Sequence, residues 1–152
     1  MEIGIRLIDG QTLEAALELV LDVFMAFEAP DYSPEGVENF RRFIQPEQVV
    51  QRMDRGDMRL WGAWMGGELA GVIAGRGAHI SLLFVRPAFQ RRGAARALVE
   101  VLCAEAAAQG AEVVTVNAAP CGMPAYGRMG FEAVAPEQVQ DGMRFTPMAR
   151  QL

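Results

Sequence analysis

The chain has 152 residues, 51% hydrophobic and 22% charged, a balance that fits one compact soluble domain spanning residues 1 to 152 and excludes a repeat array or a long disordered protein. No apolar run approaches the ~18 to 20 residues that span a bilayer, and no basic flank with an apolar block opens the chain, so a soluble, cytoplasmic protein without a membrane partner is expected. The net charge of -5 argues against a nucleic-acid partner, and two cysteines, Cys103 and Cys121, make neither a disulfide framework nor a structural zinc site, so no metal is expected.

Ile3 to Ile8 alternates in the manner of a strand, and Asp9-Gly10 reads as the turn that closes it. Thr12 is placed to cap a helix whose buried stripe is Leu13, Leu17, Val20, Leu21, Phe24 and Phe27; Ala29-Pro30 ends it. Ser33-Pro34-Glu35 has the order of N-cap, N1 proline and first-turn acid, and Val37, Phe40 and Ile44 give that second helix a buried face up to Pro46. Val49 to Asp57 fits a short helix without demanding one. Met58 to Trp64 and Leu69 to Ala74 then read as a hairpin about Gly66-Gly67.

Ile80 to Val85, a nearly continuous apolar run stopped by Arg86-Pro87, has the profile of a central strand buried on both faces. Gly93 to Gln109 is the clearest helix, with Ala94, Ala97, Leu98, Val101, Leu102 and Ala108 as its stripe, Arg96 and Glu100 at pairing distance, and Gly110 as its C-terminal cap. Glu112 to Asn117 reads as an interior strand and Pro124 to Arg128 as one or two helical turns. Phe131 to Val134 and Phe145 to Met148 read as closing strands, with Pro147 near an edge. This order builds a mixed α/β sheet with helices on both faces.

The charge is unevenly spread. Between Leu69 and Val99 there is no acid, yet Arg76, Arg86, Arg91, Arg92 and Arg96 all lie there, which points to a site for a compact polyanion. Within that stretch, Phe84 to Ala95 runs from a buried strand through a short loop into the start of the long helix. Unpaired first-turn amides and the helix dipole favour an anion there, and small side chains at Gly93, Ala94 and Ala95 let a diphosphate reach the backbone while Arg91 and Arg92 add charge. An ordinary close-packed strand-to-helix turn has the same look.

Val85-x-Pro87 followed by Gln90-Arg91-Arg92-Gly93-Ala94-Ala95 and a helix resembles the Q/R-x-x-G-x-G/A acyl-CoA motif of the GNAT superfamily of N-acetyltransferases. Asn117 after a short strand, and Tyr126 in Ala125-Tyr126-Gly127-Arg128-Met129-Gly130-Phe131, resemble its next two landmarks, with Ala95 and Ala125 as departures from the usual pattern. The resemblance implies an α/β (α+β) fold with a mixed, mostly antiparallel central sheet flanked by helices on both faces. It implies acetyl-CoA as cosubstrate, a primary amine of a small molecule or peptide as acceptor, direct attack through an oxyanion held by backbone N–H groups, and a family habit of homodimerisation. In such enzymes the strand at Leu83, Phe84 and Val85 splays from its neighbour to bond pantetheine, Gln90 to Ala95 hold the pyrophosphate, Asn117 bonds the pantetheine or the acyl carrier's edge, and Tyr126 protonates the departing thiolate.

The acceptor amine must also lose a proton. Glu28 and Asp31 lie where related folds put substrate-facing residues, and His79 has the best-tuned intrinsic pKa for a base. Asp22, Glu28, Asp31, Glu35 and Glu38 would suit a cationic acceptor and equally a solvated face. Cys121 near a helix start could have a lowered pKa, or be a buried inert thiol. Two rivals remain open: a non-catalytic acyl-CoA-binding module of the same fold, and a nucleotide-binding regulatory domain.

Overall fold

The computed structural model describes residues 2–152. Its elements in chain order are β1 (Ile3–Leu7), α1 (Leu13–Phe27), α2 (Pro34–Phe43), α3 (Pro46–Asp54), β2 (Arg59–Met65), β3 (Glu68–Arg76), β4 (His79–Val85), α4 (Ala94–Ala108), β5 (Val113–Ala118), α5 (Met123–Arg128), β6 (Glu132–Ala133), β7 (Gln138–Gln140) and β8 (Met143–Gln151). The strands form an eight-stranded sheet ordered β1-β2-β3-β4-β5-β8-β6, with β7 paired to β8. Every pairing is antiparallel except β4 with β5. Among the described residues no helix is long and apolar enough to cross a membrane.

Alternation along the strands sends side chains to two cores. On one face α1, α2 and α3 bury Leu19, Val20, Phe24, Phe40 and Val49 against Leu60, Val72, Leu82 and Phe84. On the other, α4 buries Leu98, Val99 and Leu102 against Ile73, Ile80 and Val114. Trp61 and Trp64, of opposite parity on β2, go to opposite faces: Trp61 is buried in the α4 layer, whereas Trp64 is half-buried with the Arg6 guanidinium 4.0 Å above its ring. Phe24 and Phe40 stack at 3.8 Å and tie α1 to α2, a buried contact of the kind whose truncation costs ~3 to 5 kcal/mol.

Several local expectations are corrected. Thr12 makes no side-chain cap; Asp9 instead accepts from the amides of Gln11 and Thr12 and from the Thr12 hydroxyl, so the turn carries its own capping group. Pro46 does not merely stop α2 but opens α3 as its first residue. The buried stripe of α4 is Ala94, Leu98, Val99, Leu102, Cys103 and Ala106, with Ala108 exposed. Glu100 pairs with Arg150 from β8 at 2.7 Å rather than with Arg96, which donates to the Arg128 carbonyl at 3.1 Å. Phe131 to Val134 shortens to a two-residue edge strand. Its Val134 amide donates to the Pro147 carbonyl, so Pro147 turns its missing N–H toward that short strand rather than toward β5.

The β7–β8 hairpin turns on Asp141 and Gly142, both with positive φ (53° and 79°), the two-residue turn that matches strand twist. Its tip docks on the start of α2: the Ser33 amide donates to the Gly142 carbonyl at 3.0 Å, Asn39 Nδ2 donates to the Asp141 carbonyl at 3.1 Å, and Ser33 caps α2 through the Gly36 amide. A Cβ on Gly142 would lie 2.7 Å from the Gly36 nitrogen and closer still to the Ser33 hydroxyl. Gly142→Ala is therefore expected to destabilise the protein by about 2 to 3 kcal/mol through left-handed strain and forced undocking. Calorimetry should show the melting temperature falling by roughly 4 to 10 °C.

Candidate active site

The site begins where the sheet opens. β4 and β5 pair only at His79 with Thr115 and Ile80 with Val116, after which the two parallel strands part. At the same point the β3–β4 register jumps, with Ala74 opposite Leu82 and Gly75 opposite Ile80, leaving Ser81 as a bulge. The bulge reverses parity, so Ile80 joins the α4 core while Leu82 and Phe84 join the α1 core. Beyond it, the Arg86 amide donates to the Ala70 carbonyl of β3 at 2.8 Å; by the two-residue period Phe84 also faces β3, and the N–H and C=O of Leu83 and Val85 face the gap. Ser81 and Leu83 are only half-buried, so β4 is not covered on both faces as the apolar run predicts.

The gap leads to the start of α4. One helical turn, Pro87–Phe89, carries the chain from β4, and Gln90 Nε2 donates to the Val85 carbonyl at 2.9 Å. Arg91 takes a positive φ of 62° and Gly93 one of 92°, the left-handed conformation that lets the chain enter the helix sharply. No side chain caps α4, and the amides of Arg91 through Arg96 donate to no acceptor among the described residues. With exposed Arg91 and Arg92 beside them and no acid in the first turn, these amides can hold a compact anion of high charge.

On the other arm of the gap, Asn117 is exposed just past Val116, the last β5 residue paired to β4. Tyr126, on α5, is buried edge-on against Phe131 at 5.4 Å. Its hydroxyl has no hydrogen-bond partner among the described residues yet is not sealed from solvent, so it opens on the cavity. Burial, and then the charge of Glu28, push its phenol up, keeping it firmly protonated.

Glu28 caps the end of α1 and faces the same space. Burial, with the nearby Asp31 charge, pushes its carboxyl up to about 7, against the opposing hydrogen bond from the Tyr32 hydroxyl at 3.4 Å. Tyr32 is a wall residue that no motif signalled. Cys121 is exposed rather than buried, and its thiol is pushed up, not down, by burial and by Glu28 and Asp31. His79 stands at the far end of β4, its Nδ1 2.8 Å from the Thr115 hydroxyl, and burial with the Arg76 charge lowers its pKa.

All of these side chains line one cavity of about 1310 Å³, which also takes in Leu83, Phe84, Val85, Gln90, Arg91, Gly93, Ala94 and Ala95. Arg92 is exposed beside it. Of the five acids noted on the first two helices and their loop, only Glu28 reaches the cavity; Asp22 pairs with Arg86 at 3.4 Å and Asp31 with Arg144 at 3.7 Å. No group of three or more His, Cys, Asp or Glu among the described residues is arranged to hold a metal ion.

A family model for the acetyltransferase (GNAT) domain matches residues 28–152. The chain belongs to this GNAT family. The fold agrees: a GCN5-related N-acetyltransferase of Rhodopseudomonas palustris, also described as a class-II aminotransferase, superposes with a TM-score of 0.85 at 21% identity over 100% of this chain and 97% of its own. PaiA N-acetyltransferase from Thermoplasma acidophilum, in complex with coenzyme A, gives 0.78 at 21% identity with 100% of both chains covered. A Bacillus subtilis acetyltransferase in complex with CoA gives 0.66 at 18% identity with 99% of both chains covered. No curated protein matches the sequence significantly. In this GNAT chain the mixed, mostly antiparallel sheet with helices on both faces is present as expected, and the strand that splays is β4, which runs directly into the motif.

Glu28 makes stability depend on pH. Between pH 4.5 and about 7 the unfolded chain releases this proton while the folded chain keeps it, so stability falls as pH rises through that window and is unaffected by this group above it. The loss is on the order of 2 kcal/mol once partial exposure is allowed for. Glu28→Gln should flatten that slope and melt a few degrees above the parent at alkaline pH. Urea melts across the window check this, and an unchanged slope would assign the titration to another group.

Proposed function

We propose that the protein transfers the acetyl group of acetyl-CoA to a primary amine of a small molecule or peptide by direct attack. The observation that carries this reading is one continuous track: the open edge of β4 at Leu83 and Val85 runs through Gln90 into the unpaired amides of Arg91 through Arg96, and the free hydroxyl of Tyr126 faces the same gap. A pantetheine arm extends a strand edge with its amides, and a diphosphate suits the helix start, where Gly93, Ala94 and Ala95 keep the approach clear and Arg91 and Arg92 add charge. Two relatives of the same fold hold coenzyme A. In this reading Asn117, exposed on the opposite arm, bonds the pantetheine.

In the proposed reaction the neutral amine attacks the thioester carbonyl carbon. The C–N bond forms, the C–S bond breaks, the nitrogen loses its proton to the Glu28 carboxylate, and the Tyr126 hydroxyl gives its proton to the leaving thiolate. Backbone N–H groups on the free edge of β4 stabilise the oxyanion. Glu28 is preferred to His79 as proton acceptor because it shares the local field of Tyr126, whereas the His79 ring is tied to Thr115 beyond the bulge. Cys121 takes no part, its thiol being too weakly acidic. The unpartnered Tyr126 hydroxyl favours an enzyme over a binding module, which needs no acid at that position.

Acetyl-CoA at a hundredfold excess over Kd should stabilise the protein by about 2.7 kcal/mol, and ADP by much less. Gly93→Glu should abolish that shift by adding bulk and like charge at the amides; a folded Gly93→Glu protein with full CoA affinity in calorimetry would remove the diphosphate from this loop. Tyr126→Phe tests the proton donor separately. Its hydroxyl bonds nothing among the described residues, so melting temperature and CoA affinity should hold while the single-turnover rate drops about 10²-fold. A full rate in that variant excludes Tyr126 as the acid and leaves the cofactor track intact.

A further inference from the structure

The cavity has a second end that the proposed transfer does not use. Arg52 at the last turn of α3, Arg55, Asp57 and Arg76 at the end of β3 line it together with His79, at the opposite end of β4 from the Gln90 to Ala95 loop. The positive charge there is not balanced. Asp57 pairs with Arg55 at 3.4 Å, while Arg76 has no ion-pair or hydrogen-bond partner among the described residues. Arg52 is held in place rather than neutralised: it donates to the Phe43 carbonyl at 2.7 Å and lies 4.1 Å above the Phe43 ring. The other carboxylates that line the cavity are Glu28, and Asp141 on the hairpin tip beside Asn39.

The walls carry apolar side chains, Phe40 and Phe43 from α2, Leu83 from β4, and Met143 and Phe145 from the docked hairpin, with Asn39 and Ser81 as polar members. From His79 to Leu83 the strand covers roughly 13 Å at ~3.3 Å per residue. A diphosphate at the start of α4 lies beyond Leu83 in the other direction, so CoA leaves the arginine end free.

We propose that the acceptor is a small primary amine whose far end carries an anionic group, a carboxylate or phosphate ester, joined to the amine by an apolar chain and bound by Arg76 together with Arg52. The inference rests on the acetyl-transfer reading above and adds the substrate class. Glu28 meets the amine at one end and the guanidinium groups meet the anion at the other, so the two charges of the acceptor are read at a fixed separation. The acids on the outer faces of α1 and α2 point elsewhere and do not select for a cationic acceptor.

The test measures CoA release with a graded series of straight-chain ω-amino acids, the corresponding amino-alkyl phosphates, the amino-acid methyl esters, plain alkylamines and α,ω-diamines. The anionic amines should exceed the esters and alkylamines in kcat/KM by about tenfold, through KM, with an optimum chain length and with diamines poorest. The Arg76 side chain is exposed and has no hydrogen-bond or ion-pair partner among the described residues, so Arg76→Gln should fold and lose the preference, Arg76→Lys should keep most of it, and Arg76→Glu should move it toward diamines. Binding of the matching ω-acetamido acids to the CoA-loaded protein gives a readout that does not depend on turnover. Transfer to alkylamines or diamines without preference for the anion, or a preference unchanged in Arg76→Gln, overturns the acceptor class while leaving acetyl transfer standing. A protein that binds no acetyl-CoA overturns both.

Discussion

The parallel contact between β4 and β5 holds for two residue pairs and then stops, and the chemistry of the groove depends on that stop. A central strand ordinarily spends its N–H and C=O groups on both neighbours; here those of Leu83 and Val85 have β3 behind them and no strand in front. Left in a closed interior such groups would be costly, and left on a flat edge they would invite another strand. The gap instead keeps them in a walled channel, with Gln90 reaching back to the Val85 carbonyl.

Two features hold the parted strands apart. β5 is paired along its whole length to β8, from Val113 with Gln151 to Ala118 with Thr146, so it cannot swing back toward β4 without disrupting that ladder. β4 is paired to β3 up to Val85 opposite Gly71, and the Ser81 bulge adds the local bend that separates its path from β5. Tyr126 and Phe131 then pack edge to face on the β5 side, and the β7–β8 hairpin, fixed on Ser33 and Asn39, supplies the outer wall. The outer wall of the groove thus depends on a contact between segments more than a hundred residues apart, which couples hairpin docking to groove geometry.

Features set by short-range chemistry were legible in the sequence. The apolar run of β4, the Arg-Pro break, the small residues opening α4 and the Ser33 cap can each be read within a few neighbours. Features that depend on long-range register were not. The bulge at Ser81 exists because β3 and β4 pair with an offset, and nothing in Ile80-Ser81-Leu82 announces it. In Ala-rich α4 many faces are almost equally apolar, so the buried one was set by the sheet, and Glu100 found Arg150 because β8 arrives beside it. Asp141-Gly142 did carry a hairpin signal, but the polar flanks Gln138 and Gln140 hid the strand it joins. The elevated carboxyl of Glu28 was also out of reach, since it follows from burial that only the assembled cavity provides.

Burial acts on both proton-handling groups of the proposed reaction, and in the same direction. It pushes Glu28 up to about 7 and raises the Tyr126 phenol as well, and the Glu28 charge adds to the rise at Tyr126. The carboxylate must be ionised to take a proton and the phenol must be protonated to give one. The productive pair of states therefore opens above the Glu28 transition and stays open to strongly alkaline pH. An acceptor amine is mostly an ammonium near neutrality, and its neutral fraction grows over that same range. A groove that desolvates its acid and its base together thus favours both groups and the nucleophile under one condition.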